Sequence, residues 1–216
     1  MPGEWYVPAV DDRGGRDPVD VALALLAHQG FDATSTAQIA DATGIPVEDV
    51  VPTLGTKEAI VLAVARDMLG AVIEALADVD AQTPVIEALM AAHSKVVAEI
   101  LGGTGAVTIE RMRAMSKAIT SSADLQQLVE IQRLDMLTGV MAERLGVPPT
   151  DRRVANGLNL WSAVMAGTYL DVLDKYGRFD PNVDVEAPEF MRDRLNRVYR
   201  IITGRPISEE WRSTPP

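Results

Sequence analysis

Few side chains in this sequence could do chemistry. It has no cysteine, and His28 and His93 are its only imidazoles. A disulfide framework, a thiolate metal site, an iron-sulfur cluster and a thiol nucleophile are therefore excluded. The two histidines lie far apart and outside any His-Glu-x-x-His spacing, so each reads as a helix-surface or core residue rather than a ligand. Gly102-Gly103-Thr104-Gly105 has the glycines of a phosphate cradle but no preceding strand, which makes it a linker between helices. No hydroxyl has a base at a telling distance. The expectation is a protein that is not an enzyme, with no catalytic residue, no bound metal and no cofactor.

What remains is binding, and composition bounds it. The chain has 216 residues, a formal charge of -11 and an isoelectric point near 4.6. With 47% hydrophobic and 24% charged residues it is ordinary globular material, enough for one or two domains. No apolar run approaches the roughly 18 residues of a membrane span. Met1 to Pro18 lacks a basic start followed by an apolar stretch, so no signal peptide is expected and the cytoplasm is the expected location. An acidic surface repels phosphate, which counts against a nucleic-acid partner.

Aromatics are 5% of the chain and the β-branched residues follow a three-to-four spacing, so an all-α fold is predicted. Four stretches are expected: a flexible arm over 1–16, a small helical head over 17–55, a helical bundle over 56–204 and a tail over 205–216. Asp17 caps the first helix, Pro18 suits its first turn and Gly30 stops it. Ser35 and Gln38 have capping-box spacing at the start of a second short helix ended by Gly44. Ile45 to Leu54 forms a third. Thr56 then caps a long helix with Ile60, Val64, Met68, Val72 and Leu76 on one side. Further helices are expected over Val85 to Leu101, Thr104 to Ser121, Leu125 to Leu145, Asp151 to Tyr176 and Glu189 to Thr203.

Two short helices joined by a turn through Gly44-Ile45 are what a helix-turn-helix requires, here Thr34 to Leu54. Around it stand Gly30-Phe31-Asp32-Ala33-Thr34-Ser35, then Ile39-Ala40-Asp41-Ala42-Thr43-Gly44-Ile45, then Gly55-Thr56-Lys57-Glu58-Ala59-Ile60. These three blocks, correctly spaced, resemble the amino-terminal domain of the TetR family of transcriptional regulators. The resemblance covers Val19 to about Leu69. It implies a homodimer that binds double-stranded DNA, with a carboxy-terminal bundle for a small apolar effector. It also implies that Thr34, Ser35, Thr36, Val47, Glu48, Asp49, Thr53 and Lys57 are the DNA-facing positions.

The recognition segment departs from the family's pattern. Pro46 to Thr53 has no basic or aromatic side chain; Glu48 and Asp49 would face repulsion in a phosphate-lined groove, and Pro52 withholds a helix N–H. Residues 1–70 contain four basic side chains against eleven acidic ones. Only Lys57, with Arg13 and Arg16 on the arm, offsets this. Two readings follow: a working regulator, by resemblance a repressor, or a TetR-fold protein that no longer reads DNA and serves as a ligand sensor or protein partner.

In the bundle, Met90, Met112, Met115 and Met136 could line an adaptable apolar pocket or simply fill the core. Trp161 and Tyr169, nearly on one helical face, could line that pocket or sit at a subunit interface. Small residues such as Ala155, Gly157, Ala163, Ala166 and Gly167 on the same helix suit close approach by a partner helix, with the arginine-rich last helix completing a four-helix interface.

Overall fold

The computed structural model describes residues 17–170 and 190–204; of residues 169–170 and 190–193 only the backbone is described. The arm at 1–16, the end of the helix expected to reach Tyr176, the following loop and the tail at 205–216 lie outside the described residues. Those described are helical, with no strand among them: α1 (Pro18–Gln29), α2 (Thr36–Thr43), α3 (Val47–Leu54), α4 (Lys57–Ala75), α5 (Val85–Leu101), α6 (Ile109–Thr120), α7 (Ala123–Leu145), α8 (Arg152–Leu170) and α9 (Phe190–Thr203). One 3-10 turn, Leu76–Asp78, follows α4.

Local chemistry sets most boundaries. Asp17 accepts from the Val19 N–H with Pro18 next in line, and Thr56 accepts from the Ala59 N–H. Ser35 and Gln38 cap each other reciprocally. Gly44 closes α2 in the left-handed conformation, at φ 71°, where a side chain would be strained. Pro46 is the N-cap of α3, so that helix starts at Val47 rather than Ile45. It continues through Pro52 to Leu54 despite the missing N–H.

One expected boundary is displaced. The helix predicted from Thr104 begins at Ile109, because the chain folds back over the end of α5 first. A Cβ on Gly105 would lie 2.8 Å from the Ile100 backbone, and Val107 is buried in the fold before Thr108 caps α6.

The core runs from the head through the bundle. In α4, Ile60, Val64, Met68 and Val72 are buried, as the spacing predicted, and Leu76 is buried in the turn beyond. This helix packs on α1, α5, α6 and α7, while α8 packs on α5, α7 and α9. The head is held by more than its chain connection, since α1 lies along α6 in the most extensive helix pairing among the described residues. Arg111 of α6 binds Asp20 at 2.5 Å and Asp17 at 2.6 Å at one end of α1. At the other end, the Phe31 N–H donates to Ser121 Oγ at 2.9 Å.

Two glycines expected at a subunit interface are used within the chain. A Cβ at Gly157 would lie 2.5 Å from Val85 Cβ of α5, and one at Gly167 would lie 2.8 Å from Val198 Cγ1 of α9. Close approach is indeed their role, but the partners are helices of the same chain.

Candidate functional site

The head presents α2 and α3 on its surface. Ser35, Val47, Glu48, Asp49 and Thr53 are exposed and Thr36 is half-buried, so six of the eight expected DNA-facing positions are reachable. The other two are committed elsewhere. Thr34 is buried and its hydroxyl donates to the Gly30 carbonyl at 2.8 Å. The Lys57 ammonium donates to the carbonyls of Phe31 and Thr34 at 2.8 and 2.7 Å, and stands 4.6 Å from the centre of the Phe31 ring. In this structure these side chains lock the turn between α1 and α2 to the start of α4.

Lys57 is the sole Lys or Arg between residues 17 and 60. With its ammonium engaged, the described part of the head offers α3 as an acidic and apolar face. Val47 and Val51 are 52% and 48% exposed beside the exposed Glu48 and Asp49. The turn geometry of a helix-turn-helix is therefore complete, while the charge pattern on its outer helix is unusual for one.

A second candidate lies in the bundle, a cavity of about 190 Å³ between α4, α5, α6, α7 and α8. Met115 and Trp161 are among the residues that line it. Met90, Met112 and Met136 do not; Met90 and Met112 are core residues and Met136 packs against the core half-buried. In their place stand Met68 of α4 and Met165 of α8. Residue type marks a methionine as adaptable filling, but only the helix packing decides which face meets the void. Tyr169 lies in α8 with its side chain outside the described residues.

The polar members of this lining were not anticipated. His93, read as a surface or core histidine, lines the cavity at 3% exposure. Burial, reinforced by the Arg133 charge, pushes its imidazole down to about 4, so it is neutral at pH 7. Its ring meets Trp161 edge-on at 6.1 Å. Arg133 of α7 stands 5.3 Å from the Trp161 ring centre and donates to Glu130 at 2.5 Å, and Glu130 accepts from Ser162 at 2.6 Å. Spacing could have suggested the Glu130–Arg133 pair, one helical turn apart; nothing local placed it beside Trp161.

Residues 19–64 match the family model described as bacterial regulatory proteins, tetR family. That span runs from the start of α1 into α4 and contains the whole helix-turn-helix. The described residues are all helical, and the stretch that holds the helix-turn-helix is similar to the amino-terminal domain of this regulator family. No curated protein matches the chain. Among solved structures, it is similar to the TetR family transcriptional regulator PfmR from Thermus thermophilus, at 16% identity over 86% of this chain and 98% of that one, with a TM-score of 0.45. Among the described residues no helix is long and apolar enough to cross a membrane.

Proposed function

We propose that the chain is a cytoplasmic transcriptional repressor, a homodimer whose heads read two DNA half-sites and release them when a small molecule enters the bundle. The observation that carries this reading is the coincidence of the family match with a helix-turn-helix whose first helix is capped reciprocally by Ser35 and Gln38 and whose turn passes through a left-handed Gly44. The proposed boundaries are the head at 17–55 and the effector and dimerisation bundle at 56–204. For the dimer we favour α8, with Ala155, Ala163 and Ala166 exposed, next to Ile201 of α9, which is 71% exposed. Two-fold pairing would set the heads one helical turn of DNA apart.

The route from bundle to head runs through α6 as well as α4. Met115 and Ile119 face the cavity, while Arg111 and Ser121 hold α1. A ligand that prefers one setting of α6 over another would shift the heads, and only that difference in affinity can drive the change.

The acidic, valine-bearing face of α3 supports a second reading, in which the head binds another protein and no DNA. Fluorescence anisotropy with duplexes, starting from DNA upstream of the coding region, at two salt concentrations separates the two. Submicromolar, salt-sensitive binding to a subset of sequences supports the repressor. Absence of binding by a folded dimer at low salt overturns it.

A further inference from the structure

Two residues of the cavity lining, Trp161 and Arg133, have donors to spare. Trp161 is 2% exposed and its Nε1–H has no partner among the described residues, although an indole N–H can only donate and leaving it buried and unpaired is costly. Arg133 brings a positive charge and a fork of donors. Nη1 serves Glu130, while Nε and Nη2 have no partner among the described residues. Both oxygens of Glu130 already accept, one from Arg133 and one from Ser162. The acid of this pair is thus occupied on both sides while the guanidinium keeps donors to spare. The lining also holds thioether side chains, those of Met68, Met115 and Met165.

We propose that this cavity binds a small monocarboxylate, with its carboxylate on the Arg133 guanidinium and its apolar body against Met68, Met115 and Met165. The proposal rests on the ligand-responsive reading above and replaces a purely apolar effector with an acidic amphipathic one. A carboxylate matches the planar guanidinium fork, and charge-assisted hydrogen bonds are about twice as strong as neutral ones. The surroundings reinforce the pairing, because Arg133 is largely withdrawn from water, its side chain 16% exposed. Size narrows the class. A cavity of about 190 Å³ is modestly larger than the roughly 150 Å³ that accommodates benzene, which fits one ring or a short chain.

The test is isothermal titration of the full chain with benzoate, phenylacetate and hexanoate against the neutral probes benzyl alcohol and benzamide. The acids are expected to bind about tenfold more tightly than the neutral probes. Arg133→Gln should abolish that preference and leave the neutral probes unchanged. Glu130→Gln keeps the guanidinium and removes its competing charge, so it should tighten acid binding severalfold and remains informative if Arg133→Gln fails to fold. Neutral probes binding as well as the acids, or acid affinity unmoved in Glu130→Gln, would overturn the carboxylate assignment and leave a ligand-responsive bundle standing. Binding of neither series overturns both.

Discussion

The ammonium of Lys57 donates to the main-chain carbonyl of Phe31 at 2.8 Å and sits 4.6 Å from the centre of the same residue's ring. A second bond, to the Thr34 carbonyl, completes a knot between the start of α4 and the loop that leads into α2. A lysine placed to greet phosphate would stand away from the head; this one is bound into it.

Lys57→Met should therefore lower the stability of the protein by about 2 kcal/mol, since it strips a charged donor from two carbonyls. Thermal unfolding measures it. A lysine whose role was phosphate contact would leave the melt in place and reduce the salt slope of DNA binding by about one.

The acidic face of α3 leads to the opposite kind of expectation. Glu48→Gln together with Asp49→Asn removes two exposed negative charges without altering shape. Affinity for any duplex should rise and depend more steeply on salt, as anisotropy would register. An unchanged affinity would mean that α3 does not approach DNA.

Arg111 reaches across to Asp17 and Asp20 with its side chain 31% exposed. Solvent screening limits such a pair to about 1 kcal/mol. The double-mutant cycle Arg111→Gln with Asp20→Asn should give a coupling of that size. Amide hydrogen exchange should quicken in the first turns of α1 and stay unchanged in α8.

His93 makes stability fall in acid. Its imidazole titrates at about 4 in the folded chain and near 6.5 when unfolded, so the native state binds fewer protons between those values. The contribution is fully present above about pH 6.5 and is lost as pH drops to about 4, on the order of 3 kcal/mol in all. Denaturant midpoints across that window should slope less in His93→Gln than in the parent protein. Equal slopes would place the imidazole in water.

Gly157→Ala should cost about 1–3 kcal/mol by overpacking. The added methyl would sit 2.5 Å from Val85, forcing α8 away from α5. Urea unfolding of the variant checks this, and an unaltered midpoint would show that α8 and α5 have room between them.

Which of these features were legible beforehand follows from the range of the interactions. Asp17 with Pro18, Ser35 with Gln38, and Thr56 act within three residues, so the helix starts and the turn of the head could be read along the chain. Arg144 is the contrary case. From α7 it donates to the carbonyls of Leu76, Val79 and Asp80, pinning the turn after α4 across more than sixty residues. No local pattern announces that. The cavity failed for the same reason: Met112 and Met115 share a helix and a chemistry, but only Met115 faces the void. For Lys57 the family motif gave the position but not the two carbonyls it holds.

The twelve residues of α6 span about 18 Å, three turns too short to bow. Its middle is the cavity wall, and the head hangs from both its ends. Under the proposed ligand response, a load applied at Met115 or Ile119 would reach Arg111 and Ser121 as a displacement of the whole strut. In the ligand response proposed above, stiffness and not the size of the motion would let a molecule of one ring be felt in the head.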